Sequence, residues 1–96
     1  MIIGRFMVRC RPEQDGDIAA AIAAVVAPSR EIPGVVHFDV ARSVTEPNTF
    51  YAFEVFAHRE AFDQQNAQPE VARLLGLIDD GGYEWATWEI PDAAPA

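Results

Sequence analysis

Lysine is absent from the 96 residues, and the seven basic side chains, all arginines, face fifteen acidic ones for a formal charge of −8. Such acidity argues against nucleic-acid partners, because phosphate recognition needs a clustered positive surface. Cysteine occurs once, at Cys10, which excludes an internal disulfide and a Cys-rich zinc site. The reducing cytoplasm is therefore the expected compartment. Histidine occurs twice, as His37 and His58, without the spacing of a ligand set, so no metal is expected. No apolar run approaches the roughly 20 residues of a membrane span, so no membrane partner is expected. The opening MIIGRFMVRC lacks a basic region, a long apolar stretch and a small-residue cleavage site, so a secretory leader is not expected.

What is present is a globular composition. Half of the residues are hydrophobic, too many for a disordered segment, and the length suits one domain over residues 1–90. The tail 91–96, PDAAPA, reads as unstructured. A chain this short buries only about 60–65% of its unfolded surface, so a partner subunit would add usefully to its core.

Along the chain, hydrophobic periodicity alternates between that of strands and that of helices. Residues 2–9 (IIGRFMVR) read as a strand with Ile2, Gly4, Phe6 and Val8 on one face and Ile3, Arg5, Met7 and Arg9 on the other. Pro12 suits the opening of a helix. Residues 13–28 carry Ile18, Ile22, Val25 and Val26 at helical spacing, with Pro28 expected to close the helix or follow it. The turn Pro33-Gly34 leads into a second strand over 35–44, with Val36, Phe38 and Val40 opposite His37, Asp39 and Ala41. EPNT (46–49) joins it as a hairpin to the strongest strand, FYAFEVFA (50–57). Helical spacing returns over 59–78 and is interrupted at Pro69, where a proline should end or kink the helix. Gly81-Gly82 resets the chain for YEWATWEI (83–90).

The order β-α-β-β-α-β predicts an α+β, ferredoxin-like fold, an antiparallel sheet with two helices on one face. The other face cannot be fully polar, because Ile3 and Met7, or Phe50 and Phe56, must point somewhere. An uncovered apolar sheet face is an interface signal, and the expectation is a homodimer packed sheet against sheet.

The segments REIPGVVHFDV, EPNTF and FYAFEVFAHREAFDQQNAQPEVARLL resemble the antibiotic-biosynthesis-monooxygenase family. The marks are a Pro-Gly turn before strand two, an aromatic-x-x-Glu-x-aromatic strand three, a helix opening acidic-Ala-hydrophobic, and a break at Gln68-Pro69. The resemblance covers about residues 2–90 and implies a dimeric α/β barrel. It implies a range of activities, including cofactor-free oxygenation of aromatic polyketides, haem degradation and isomerase-like roles in signal catabolism. Where polyketide-oxidising members use an Asn, a Trp and a Tyr around strand three, this chain is similar in placing Ala52, Phe56 and Phe62, with Arg73 in the stretch of their Arg. Phenylalanine neither donates a hydrogen bond nor holds a phenolate, so that proton-transfer scheme does not carry over unchanged. The positions matching the haem-degrading members' axial His and helix Trp are Leu75 and Gln65, which leaves haem iron no donor.

Individual residues each have a structural and a chemical reading. His37 and His58 are candidate general bases near neutral pH, or ordinary surface residues. Glu54 interrupts an apolar strand. It reads as an ion-pair partner of Arg5 or Arg9 on the adjacent first strand, or as a cavity-wall carboxylate of raised pKa. Asn66 and Gln65 lie where the apolar stripe lapses, exposed or lining a cavity. Trp85 and Trp88 must face opposite sides of the last strand, one toward the pocket or core and one toward the dimer interface. Cys10, between Arg9 and Arg11, reads as a plain strand-end thiol or one of lowered pKa.

The expected pocket is lined by Phe53, Phe56, Phe62, Leu74 and Trp88, with Glu54 at its wall, and suits a small aromatic or apolar ligand. The favoured activity is cofactor-independent oxygenation of a small aromatic or polyketide-like molecule. In that scheme Arg73 stabilises the substrate anion, Asn66 orients it, and His37 or His58 takes the proton. The alternatives are a non-catalytic dimeric binding module and an isomerase-like enzyme of a small lactone or sugar-derived metabolite.

Overall fold

The computed structural model describes residues 1–91, and the expectation for the tail lies mostly outside them. Strands β1 (Ile2–Arg9), β2 (Val35–Arg42), β3 (Thr49–Phe56) and β4 (Tyr83–Glu89) form one antiparallel sheet in the order β2-β3-β1-β4. Helix α1 (Asp15–Arg30) follows a short 3₁₀ turn at Pro12–Gln14, and α2 (Arg59–Asn66) and α3 (Pro69–Leu77) join β3 to β4. This is the ferredoxin-like α+β order read from the sequence.

The strand registers decide which side chains share a face. Gly4 pairs with Glu54, Phe6 with Ala52 and Val8 with Phe50, while across β4 Phe6 meets Trp85 and Val8 meets Tyr83. With a side-chain period of two, these residues all point toward the helices. Arg5, Phe53, Asp39 and Ala86 line up on the opposite, open face. Between Val35 and His37 the β2–β3 register shifts, so Val36 has no partner and is 60% exposed. A bulge inserts one residue and breaks the alternation. That corrects the expectation that Val36 shares a face with Phe38 and Val40.

The core sits between the sheet and α1. Ile18, Ile22 and Val25 pack on Val8, Phe38, Phe50 and Leu74, all buried, and each fully buried aliphatic chain contributes roughly 1.5–3 kcal/mol. A second cluster joins Ile2, Phe56 and Ala61, with Phe62 against it. The helix α1 runs two residues past Pro28. In the last turn the ring forfeits one backbone bond, to the carbonyl of exposed Ala24, so it does not end the helix. Pro69 does divide the second helical segment, standing at the first position of α3.

Two turns are anchored by specific contacts. Asp15 at the start of α1 accepts from Arg42 Nη1 at 2.8 Å, Arg42 Nη2 at 2.6 Å and Asn48 Nδ2 at 3.0 Å. The Arg42 and Asn48 hydrogen bonds hold its carboxyl down at about 2. Gly34 has φ +93°, and a β-carbon there would stand 2.7 Å from His58 Nε2 and 2.9 Å from Ala61 Cβ. Left-handed backbone and lack of space both demand glycine. Gly34→Ala should therefore cost about 2 kcal/mol or more in urea unfolding. Gly16→Ala, whose β-carbon meets nothing within 4 Å on the exposed start of α1, should be neutral or stabilise by up to about 1 kcal/mol. Equal losses in the two variants would contradict this account of the turn.

Candidate functional site

The helix-facing side of the sheet is not filled. A cavity of about 210 Å³ lies between it and the helices, floored by Phe6, Val8, Phe38, Phe50 and Ala52 and roofed by Ile22, Val25, Val71 and Leu74. Leu75, Tyr83 and Trp85 also line it and are 37%, 43% and 49% exposed, so the mouth lies between α3 and β4. Three polar side chains reach this apolar space, Glu54 from β3 and Gln65 and Asn66 from the end of α2.

Glu54 is 6% exposed, and among the described residues no hydrogen bond or ion pair reaches its carboxylate, whose oxygens face the cavity and are not sealed in the core. The expected partners Arg5 and Arg9 alternate onto the open face, and Gly4 stands opposite Glu54 in the register instead. A β-carbon at Gly4 would stand in ordinary contact, 3.4 Å from Glu54 Oε2, so the carboxyl does not depend on glycine there. With no cation beside it the charged form is disfavoured, and burial pushes Glu54 up to about 7. The ion-pair reading is thus corrected, and the cavity-wall reading describes what is seen.

The two amides are fixed by different neighbours. Gln65 Nε2 donates to Ser29 Oγ at 3.3 Å, and that hydroxyl donates to Val25 O at 2.7 Å. Asn66 Nδ2 donates to Phe62 O at 2.9 Å. The helix break at Pro69 follows directly, so the C-terminal turn of α2 presents both amides to the cavity.

The remaining residues expected at a site are dispersed. Arg73 is exposed on α3 and does not line the cavity. His37 lies on the open face, in edge contact with Phe53 at 5.8 Å between ring centres. His58 caps α2, its Nδ1 accepting from Ala61 N at 3.2 Å. Phe53 and Trp88 also belong to the open face, 50% and 51% exposed, which removes both from the expected lining because strand alternation turns them away. Phe56 and Phe62 pack edge-on to each other at 5.4 Å, beneath α2 and beside the cavity rather than in it. Leu74 lines the cavity as expected. Trp85 is the cavity tryptophan, stacked on Phe62 at 5.8 Å, with Trp88 on the other face. Tyr83, Phe6 and Phe38 were missed as lining, although the even-numbered face of the first strand pointed to Phe6. Cys10 has its pKa raised, by burial first and then by the nearby Asp15, so the flanking arginines do not make it a reactive thiolate. No cluster of three or more His, Cys, Asp or Glu side chains placed to hold a metal occurs among the described residues.

Comparison with known proteins agrees with this architecture. The sequence profile of the antibiotic biosynthesis monooxygenases matches residues 1–75, and the chain belongs to that family. A Deinococcus radiodurans protein described as a candidate antibiotic biosynthesis monooxygenase superposes with a TM-score of 0.83 at 15% identity, over 100% of this chain and 98% of that one. A Mycobacterium tuberculosis protein is similar with a TM-score of 0.83 at 18% identity, over 98% of both chains. A Bacteroides thetaiotaomicron protein of unknown function, described as a possible oxidoreductase, gives 0.74 at 20% identity over 91% of this chain and 92% of that one. No curated protein matches the sequence. No helix among the described residues is long and apolar enough to cross a membrane.

The unpaired Glu54 has a thermodynamic signature. Its folded value of about 7 lies above the unfolded value near 4.5, so the folded state holds the proton more tightly than the unfolded chain. The group contributes nothing below about pH 4.5 and destabilises the fold progressively as pH rises to 7. Relative to Glu54→Gln, the wild type should lose about 2–3 kcal/mol of unfolding free energy between pH 5 and pH 8. Parallel stability curves for the two proteins would show that Glu54 is solvated or paired.

Proposed function

We propose that the protein is a cofactor-independent monooxygenase of a small aromatic or polyketide-like molecule, acting in the cytoplasm as a homodimer joined through the open sheet face. Membership of a monooxygenase family supports the reaction type. The observation that carries the reading is Glu54, a lone carboxyl near neutral pKa in a cavity of aromatic and aliphatic walls. A group with that value is matched to accept a proton at physiological pH.

In this scheme Glu54 takes the hydroxyl proton of a bound phenol or enol. The resulting anion passes one electron to dioxygen, and the radical pair combines as a carbon–oxygen bond to give a peroxide anion, which takes the proton back from Glu54. The hydroperoxide then loses its outer OH with the hydrogen of the oxygenated carbon as water, leaving a quinone with one oxygen atom in the product and the other in water. The substrate supplies all the electrons, and the protein contributes proton removal, orientation by Asn66 and Gln65, and a dry pocket. Arg73, His37 and His58, which the sequence offered for these tasks, lie away from the cavity, so the base is assigned to Glu54. A second reading, a non-catalytic binding module, draws on Ala52, Phe56 and Phe62, apolar at positions where the polyketide-oxidising type uses polar side chains.

Oxygen uptake on a panel of naphthols and anthrols, without added cofactor and against a no-protein control, separates the two. The expected outcome is protein-dependent uptake that rises about tenfold per pH unit below 7 and levels above it. Glu54→Gln should lower it about 100-fold or more. Uptake that survives Glu54→Gln but collapses in Arg73→Ala would return the chemistry to Arg73, and saturable binding without uptake would favour the binding module. For the dimer, Phe53 on the central strand β3 and Trp88 on the edge strand β4 provide exposed aromatic surface on the open face. Phe53→Arg should convert a species of twice the chain mass to one of single mass in sedimentation equilibrium, and a monomeric wild type would refute the interface.

A further inference from the structure

We propose that the cavity selects its ligand by charge, admitting an uncharged aromatic molecule that carries a hydroxyl and rejecting the carboxylate of the same skeleton. The inference deepens the oxygenase reading by naming its substrate class and rests on the same cavity.

The charge argument comes from what faces the cavity. The lining contains no arginine or histidine from any element packed around it, and its only other titratable side chain is the Tyr83 phenol. In the register, Glu54 is flanked by Gly4 on β1 and Phe38 on β2, while the side chains from α1 and α3 are aliphatic. An anionic ligand would therefore meet a carboxylate with no cation to offset it, which is a repulsive element built against that ligand.

The hydroxyl argument comes from the uncommitted polar ends. The amide nitrogens of Gln65 and Asn66 each give one N–H to Ser29 Oγ and Phe62 O, which leaves a second N–H on each amide, both amide oxygens and the Glu54 carboxylate. A hydroxyl, which can donate to the carboxylate and accept from an amide N–H, matches this set, and a ligand without a donor leaves the carboxylate unpaired.

The test is calorimetric titration of the full chain under anaerobic conditions with 2-naphthol, 2-methoxynaphthalene and 2-naphthoate at pH 5.5 and pH 8. At pH 8 the naphthol should bind at least about tenfold more tightly than either analogue. At pH 5.5, where Glu54 is protonated, the naphthoate should gain at least about fivefold. Glu54→Gln should give the naphthoate the same gain at pH 8, remove its pH dependence and weaken the naphthol. The variant sheds a buried charge, so a folded protein is expected, and its thermal unfolding is recorded alongside. Naphthoate equal to naphthol at pH 8, an unchanged ratio in Glu54→Gln, or no naphthol binding would each overturn the proposal. Because no oxygen is present, selective binding by a protein that never consumes oxygen would sustain this inference and refute the oxygenase. Uptake on naphthols without charge discrimination would do the reverse.

Discussion

The pairing of β1 with β3 is the constraint on which the rest of the molecule depends. With Gly4 opposite Glu54, a strand period of two sends the even-numbered residues of both strands toward the helices and the odd-numbered ones to the open face. A shift of one residue would exchange the faces, exposing Phe6, Val8, Phe50 and Ala52 and burying Arg5 and Arg9. The hydrophobic penalty of that exchange is what fixes the register, and the register in turn isolates Glu54. The carboxylate is unpaired because the arginines nearest in sequence are on the other side of the sheet.

Isolation of that kind works against stability and is retained at the centre of the core. An apolar residue at position 54 would remove a desolvation cost of a few kcal/mol in a domain whose total stability is of order 5–15 kcal/mol. The surroundings are arranged to tolerate the carboxyl rather than neutralise it. The neighbouring amides are tied to Ser29 and Phe62, and the carboxyl opens onto the cavity. The ion pairs of the molecule lie at the periphery, as with Arg9 and Glu46, Arg11 and Asp79, or Arg59 and Glu89, where exposure limits each to about 0–1 kcal/mol.

Much of this architecture was legible in the sequence because it is encoded locally. Alternation in residues 2–9 and 50–57, the Pro-Gly turn and the break at Pro69 gave the element order, and the order gave the sheet. The bulge at Val36 was not read, since residues 36–40 alternate and the doubled Val35-Val36 does not by itself say which valine is extra; the pairing with β3 does. Pro28 misled for a related reason, because whether a proline ends a helix depends on the turn it occupies. At the site, Glu54 and Asn66 stood out as polar interruptions of apolar patterns, and Leu74 followed from the helical stripe. His37 and His58 were chosen by chemical type and Arg73 by its place in the stretch that resembles the family's Arg, and neither ground says which face a side chain takes. Phe53 and Trp88 were lost the same way, although counting by twos from Glu54 and Trp85 would have placed both on the open face.

The two faces of the sheet are coupled through this parity. On β3, Phe53 and Glu54 are consecutive and point opposite ways, so one strand carries both the exposed aromatic surface offered for dimerisation and the cavity carboxyl. β4 repeats the arrangement with Trp85 at the mouth and Trp88 on the open face. A partner covering the open face would order β4, an edge strand that pairs with β1 alone, and β4 supplies Tyr83 and Trp85 to the cavity mouth. Association would then act on the site through the rigidity of one strand, with no residue of the partner required to enter it. The strand that closes the pocket has β1 as its one neighbour among the described residues, so whatever restrains β4 also restrains the cavity mouth.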